Sequence, residues 1–176
     1  MDEVVIVEYD PHWRKLFELE VASIKRVLHN SEITRIEHFG STAVSGLAAK
    51  PVIDLLIGVR SLSWAKQNAI APLESLGYAY WSDNPDPTRM FLVKGLPPNS
   101  PRTHHIHIVE PDSILWERLL FRDYLRQHPQ EAMRYAQLKR QLAQKFKCDR
   151  EAYTQGKTEY IKSVMKKAKA SIAVDL

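Results

Sequence analysis

The sequence predicts an α/β (α+β) fold in which a mixed β-sheet is flanked by helices and followed by a helical C-terminal part. Strand-like and helix-like segments are mixed through the first 111 residues, whereas the pattern from Ser113 onward is helical. The chain has 176 residues, 44% of them hydrophobic and 26% charged, so it can bury a core without disulfides or a structural metal. We expect an α/β core at 1–111 and a helical extension at 112–176 that packs on it.

Hydrophobic periodicity and turn residues place the elements of the first half of the chain. Asp10-Pro11 is a strong helix start, because a capping acid precedes a proline suited to the first helical position. Gly77 ends a second helix at a point where a left-handed residue is favoured. In order, the pattern predicts a strand at 4–7, a helix that starts at Asp10-Pro11 and includes Leu28, strands at 33–39 and 52–59, a helix at 63–76 and a strand at 78–81.

The second half begins with a predicted β-hairpin and continues as helices. Two strands, 90–93 and 104–109, flank a loop rich in glycine and proline. Helices are expected at 114–127, 129–146 and about 153–173.

Composition and charge limit the classes of partner. The formal net charge is +4, from 25 basic and 21 acidic residues, and a solvated helix face explains the C-terminal excess better than attraction to phosphate groups. Without sustained alternation of basic and aromatic residues, no clear nucleic-acid footprint is present. The N-terminus lacks the features of a signal peptide, and the most apolar run, 52–59, is too short to span a bilayer. We expect a cytoplasmic protein with no membrane partner; its oligomeric state stays open.

The segment most informative about chemistry joins Gly40-Ser41-Thr42 to Asp54. A strand that ends in Gly-Ser lets the backbone approach an oxyanion closely, and the two hydroxyl groups add donors. Asp54 lies in the next apolar strand, at the same predicted end of the sheet, where a carboxylate can hold Mg²⁺ against phosphates. This spacing favours a phosphate–metal site.

Longer motifs extend from these residues along the chain: 38–44, 46–54, Tyr9-Asp10-Pro11-His12-Trp13, Thr103-His104-His105-Ile106-His107, Phe121-Arg122-Asp123-Tyr124-Leu125, Tyr153 and Gly156-Lys157. Together these segments resemble the GrpB family. The resemblance covers nearly the whole chain and implies a nucleotidyltransferase-like fold. In that superfamily, Gly-Ser is followed by Asp-x-Asp or Asp-x-Glu, and a third acid lies on a later strand. The implied substrate is a nucleoside triphosphate (NTP).

Leu56 is the point at which the sequence departs from the superfamily pattern. It stands two residues after Asp54, where the second acid is expected. Two metal ions about 4 Å apart require bridging carboxylates to offset their repulsion. Three readings therefore stay open: ligands come from elsewhere, one metal ion binds, or nucleotide binding persists without catalysis.

His105 and His107 are the candidate replacements for the missing acid. Alternate residues of a strand share a face, so both point the same way. With Asp54 they would resemble a mixed imidazole–carboxylate metal site, which suits Zn²⁺, Mn²⁺ or Fe²⁺ better than Mg²⁺. The expected cofactor is therefore a divalent metal ion, Mg²⁺ or Mn²⁺ with Zn²⁺ as a further candidate. The alternatives are a metal-free role as a base near neutral pH and a purely structural role.

Four cationic residues are candidates for binding the triphosphate: Lys50, Arg89, Arg102 and Lys157. Lys157 shares a helix face with Tyr153, four residues earlier, and its candidacy comes from the family resemblance. Two functions follow. One is a metal-dependent transfer of a nucleotidyl group from an NTP to a small-molecule or protein acceptor. The other is a nucleotide- or metabolite-binding protein that has lost catalysis along with the second acid.

Overall fold

The computed structural model describes residues 3–28, 32–96 and 99–174. The strands are β1 (Ile33–Phe39), β2 (Ile53–Val59), β3 (Tyr78–Tyr80), β4 (Arg89–Lys94) and β5 (His104–Val109). The helices are α1 (His12–Val27), α2 (Leu62–Asn68), α3 (Ile70–Glu74), α4 (Arg118–Gln127), α5 (Pro129–Lys145), α6 (Arg150–Gln155) and α7 (Thr158–Val174). The predicted α/β class, with a mixed sheet flanked by helices, is confirmed.

The five strands form one sheet in the order β1-β2-β5-β4-β3. Only β2 and β5 are parallel; the other neighbouring pairs are antiparallel. In this register Asp54 lies opposite Phe39 on one side and His105 on the other. Side chains at paired positions project from the same face of a sheet, so this register brings Asp54 and His105 together.

Each face of the interior strand β2 is covered by a different set of helices. Ile53, Leu55 and Ile57 are almost fully buried in the main core, which also contains residues of α1, α2 and α3. On the opposite face, Leu56 packs with Phe39 beneath Leu119 of α4. Burial of a large aliphatic side chain contributes about 1.5–3 kcal/mol, so both faces of β2 stabilise the fold.

Four predicted elements differ from the structure. The helix expected at 114–127 begins as a 3₁₀ turn, Ile114–Glu117, and becomes α-helical only in α4. Residues 4–7 are not a strand; Val7 makes a single antiparallel bridge to Ala49. The helix expected at 63–76 is divided into α2 and α3, because Pro72 has no N–H to continue the hydrogen-bond ladder to Asn68. The last predicted helix is likewise divided into α6 and α7, with Gly156 between them.

Candidate functional site

The turn after β1 is shaped by a close approach between Gly40 and Asp54. Gly40 has φ of 76°, a left-handed conformation that favours glycine. A Cβ atom at this position would lie 2.4 Å from Oδ2 of Asp54, closer than atoms can approach. Ser41 follows directly and begins a short 3₁₀ turn, Ser41–Ala43. Glycine is therefore required both by its backbone angle and by the neighbouring carboxylate.

Asp54 and His105 form a hydrogen-bonded pair across the parallel strands. Nδ1 of His105 lies 3.1 Å from Oδ1 of Asp54. Burial raises the pKa of Asp54, but the hydrogen bond from His105 and the positive charge of nearby Lys50 act against it, and the net direction is downward. The carboxylate form of Asp54 accepts the proton of Nδ1, which leaves Nε2 of His105 as the acceptor nitrogen. Nε2 is buried and has no hydrogen-bond partner within the described ranges.

A cavity of about 190 Å³ opens beside this pair. Its walls come from the Gly40 turn, strands β2 and β5, and the C-terminal helices. The lining residues are Gly40, Ser41, Thr42, Lys50, Val52, Asp54, His105, Tyr135, Lys139, Tyr153 and Lys157. Three lysine amines thus line the cavity together with one carboxylate, that of Asp54. Such an excess of amines over carboxylates suits an anion.

Two of these amines have pKa values that are lowered toward neutral pH. Lys139 is only 2% exposed, and its Nζ donates a hydrogen bond to the carbonyl of Ala48. Burial, together with the positive charges of Lys157, Arg140 and Lys50, lowers the pKa of Lys139 to about 7. Burial and the charge of Lys50 lower the pKa of Lys157 to about 8. A bound anion would stabilise the charged form of both amines.

The hydroxyl group of Thr42 serves the turn itself. Oγ1 donates to the carbonyl of Val52 at 3.1 Å and lies 3.0 Å from Nε2 of His38. Burial lowers the pKa of His38 to about 4, so its ring is neutral and donates to Thr42 through Nε2–H. Thr42 was a predicted phosphate ligand; the structure places it in the cavity wall with its side chain engaged in these two bonds.

His107 shares the strand face with His105 but does not line the cavity. Its ring lies against Phe39 and Phe91, with centroids 5.1 and 4.8 Å apart. Nη1 of Arg89 lies 3.1 Å from Nδ1 of His107 and donates to it. Burial lowers the pKa of His107 to about 3, with Arg89 acting in the same direction. His107 is therefore a neutral imidazole that anchors a guanidinium group, within electrostatic reach of Asp54, and its role as a metal ligand stays a prediction.

The two predicted arginines also lie away from the cavity lining. Arg89 is held at His107, near Asn84 and Asp86. The guanidinium carbon of Arg102 lies 5.6 Å from the ring centroid of Trp81. The remaining predicted residues are brought together at the cavity: Gly40, Ser41, Thr42, Lys50, Asp54, His105 and Lys157.

Sequence reasoning missed Tyr135 and Lys139, although a signal for them was present. Tyr135-Ala-Gln-Leu-Lys139 and Tyr153-Thr-Gln-Gly-Lys157 repeat one pattern, Tyr-x-Gln-x-Lys. Residues four apart share a helix face, so each repeat presents its tyrosine and lysine together. The structure brings both pairs to the same cavity.

The residues present fit one divalent ion better than two. No group of three or more His, Cys, Asp or Glu side chains suited to a metal occurs among the residues that the structure describes. Leu56, at the position of the second acid, is completely buried under α4. Mg²⁺ is commonly held by one or two carboxylates together with substrate phosphates, and Asp54 beside the lysine-lined cavity meets that requirement. A two-ion arrangement is not matched.

The mixed sheet, the Gly-Ser turn and the facing aspartate define a protein of nucleotidyltransferase-like fold. A structure of the Cid1 poly(U) polymerase with Mg 3′-dATP aligns with a TM-score of 0.54 and 16% identity, covering 79% of this chain and 43% of that one. This similarity concerns the fold alone. The chain itself belongs to the GrpB family, whose model, described as GrpB protein, matches residues 3–167.

Closer relatives support this membership. The crystal structure of the conserved protein GrpB from Enterococcus faecalis is 37% identical, with a TM-score of 0.83 over 93% of this chain and 96% of that one. UPF0157 protein PA4798 of Pseudomonas aeruginosa is 44% identical over 97% of this chain and 69% of its own length. UPF0157 protein YqkA of Bacillus subtilis is 40% identical over 95% of this chain, which spans 48% of that relative.

Within the described residues, no helix has the length and apolar character needed to cross a membrane.

Proposed function

We propose that this protein binds an NTP in the lysine-lined cavity and transfers its nucleotidyl group to a hydroxyl-bearing small-molecule or protein acceptor. One observation carries the proposal: the Asp54 carboxylate lies directly against the Gly40 turn, in the cavity that Lys50, Lys139 and Lys157 line. The amines and Ser41 would hold the phosphates. Catalysis would then come from positioning and from neutralisation of phosphate charge.

Asp54 would hold one Mg²⁺ or Mn²⁺ ion, which would neutralise phosphate charge when bound. His105 supplies the base of this proposal. Because its Nδ1–H is donated to Asp54, Nε2 is the nitrogen that would accept the proton of the acceptor hydroxyl, once substrate binding exposes this buried atom to the cavity. The acceptor oxygen forms a bond to the α-phosphorus, the bond between this phosphorus and the bridging oxygen breaks, and pyrophosphate leaves.

A second candidate function, nucleotide binding without transfer, is favoured by Leu56. An apolar residue fully buried at the position of the second acid leaves one carboxylate where a two-metal mechanism uses at least two. The same cavity would then hold a nucleotide as a signal and not as a substrate. The two candidates share the ligand and differ in whether the bond at the α-phosphorus is broken.

The distinguishing experiment combines binding with product detection. Purified protein is incubated with Mn²⁺ and each NTP in turn, labelled at the α-phosphate. The candidate acceptors are a panel of hydroxyl compounds and an extract of unfolded proteins. Released pyrophosphate is then measured. Transfer is expected in the wild type and lost in Asp54→Asn, with an unchanged circular dichroism spectrum. Asp83→Asn, at an exposed loop position, is the matched control. Binding without pyrophosphate release would support the second function, and absence of NTP binding would remove both.

A further inference from the structure

The cavity is built around two equivalent Tyr–Lys pairs. Tyr135 and Lys139 come from α5, while Tyr153 of α6 is followed one turn later by Lys157. In each pair the ammonium group lies over the phenol ring, with Nζ 4.7 Å from the centroid of Tyr135 and 4.3 Å from that of Tyr153. Each amine therefore makes a cation–π contact with the tyrosine ring of its own pair, and both lysines line the same cavity.

The same contacts withdraw the aromatic rings from stacking with a ligand. Tyr135 stacks on Tyr160 at 5.5 Å and meets Phe121 edge-on at 5.2 Å, in addition to its contact with Lys139. Tyr153 is 1% exposed, and the amine of Lys50 lies 5.3 Å from its centroid. A nucleobase is held by stacking on an exposed ring face, and neither ring offers one.

The cavity is also poor in groups that distinguish one base from another. Asparagine and glutamine, whose amides pair with base edges, are absent from its lining among the described residues. The glutamine of each repeat, Gln137 and Gln155, is exposed to solvent and takes no part in the lining. At about 190 Å³ the space is smaller than the roughly 300 Å³ at which sites for drug-sized ligands begin. It suits a chain of phosphates better than a whole nucleotide.

We infer that the cavity recognises the polyphosphate chain and leaves the nucleobase outside, so that the four common NTPs and inorganic tripolyphosphate bind with similar affinity. This inference rests on the proposed function and names its substrate class: any nucleoside triphosphate, read through its phosphates. The protein would then discriminate between acceptors and not between NTPs.

The lowered pKa values of the Lys139 and Lys157 amines agree with a polyanion as the ligand. The pKa of Lys139 is lowered to about 7 and that of Lys157 to about 8, chiefly by burial, with further lowering by neighbouring positive charge. A bound polyphosphate raises both values again, because it stabilises the ammonium forms. Binding at slightly alkaline pH is therefore accompanied by uptake of protons, which an uncharged ligand would not produce.

Isothermal titration calorimetry of the full chain with Mn²⁺ tests the inference. The probes are inorganic tripolyphosphate, ATP, GTP, CTP and UTP, with adenosine and uridine as ligands that lack phosphates. The five phosphate compounds are expected to bind within about threefold of one another, and the nucleosides not to bind. In Lys139→Met all five lose affinity by a common factor of about ten or more. The control Lys166→Met, at an exposed position of α7, keeps wild-type affinity.

Two outcomes would overturn the inference, and they differ in what else they remove. If one NTP binds more than about tenfold more tightly than tripolyphosphate and the other NTPs, the site reads the base; this inference is then wrong and the proposed function stands. If no phosphate compound binds at all, the proposed function falls together with it.

Discussion

Gly40 and Asp54 are in such close contact that the carboxylate occupies the space a side chain at position 40 would need. The hypothetical Cβ lies 2.4 Å from Oδ2 of Asp54, and φ of Gly40 is 76°. The turn and the acid therefore form one unit, although they come from neighbouring strands. Their mutual fit explains why Gly-Ser and the aspartate act together in the proposed site.

A comparison of two glycines separates the contact from the backbone angle. Gly46 has nearly the same φ, 77°, but its Cβ would meet nothing within 4 Å. Gly46→Ala is therefore expected to cost only the left-handed penalty, about 1–2 kcal/mol in free energy of unfolding, and to keep nucleotide affinity. Gly40→Ala is expected to cost more and to abolish Mn²⁺–NTP binding, because Asp54 is displaced. Equal effects of the two changes, measured by denaturant unfolding and calorimetry, would contradict this account.

Leu56→Asp is expected to restore the superfamily sequence pattern without restoring a second metal site. The side chain at this position is packed between Phe39 and Leu119, where an unpaired carboxylate is poorly solvated. We expect a loss of at least about 3 kcal/mol in free energy of unfolding. The matched change Leu56→Met should cost less than about 1.5 kcal/mol. A stable Leu56→Asp protein with increased Mn²⁺ affinity would show that this interpretation is wrong.

The two histidines of β5 should behave differently when replaced. His105 contacts Asp54 and lines the cavity, so His105→Ala is expected to lower kcat by about 10²-fold or more, with a smaller effect on NTP affinity. His107 lies among phenylalanines and accepts a bond from Arg89, so His107→Phe should keep nucleotide affinity and alter stability by about 1 kcal/mol. Pyrophosphate release and calorimetry measure both effects. A larger loss of turnover in His107→Phe would argue for the metal role predicted from sequence.

Lys139 is expected to make stability depend on pH in the alkaline range. Its pKa is about 7 in the folded protein, against an ordinary value of 10.5. Between these values the unfolded chain binds a proton that the native chain does not, so the free energy of unfolding rises with pH by up to about 1.4 kcal/mol per unit for this group. Below about pH 7 both states are protonated, and the full cost of the buried charge persists.

The measurement compares the wild type with Lys139→Met, which has no titrating amine at this position. The difference in free energy of unfolding between the two proteins should change steadily from about neutral pH to about pH 10. A difference that stays constant over this range would mean that Lys139 is not desolvated in the folded state. Lys145→Met, at an exposed position of the same helix, provides a control for the loss of one lysine charge.

Much of the sheet was predictable because strand signals are local. The predicted strands at 33–39 and 104–109 agree with β1 and β5, and the apolar run containing Asp54 agrees with β2. The divisions between α2 and α3 and between α6 and α7 were missed, because hydrophobic periodicity continues across Ala69 and Gly156 although the helices do not. The alternation that places His105 and His107 on one face was read correctly. Periodicity assigns a face but not the neighbour that a side chain meets there.

By itself, the sequence determined most of the segments that form strands, where a glycine turn follows a strand, and which acid stands in the most apolar strand. Backbone geometry and side-chain periodicity act over a few residues, so these features can be read locally. The tertiary structure alone decided that Tyr135 and Lys139 approach a turn nearly 100 residues earlier in the chain, and that Arg89 captures His107. Such contacts depend on how helices pack on the sheet, which local patterns do not specify.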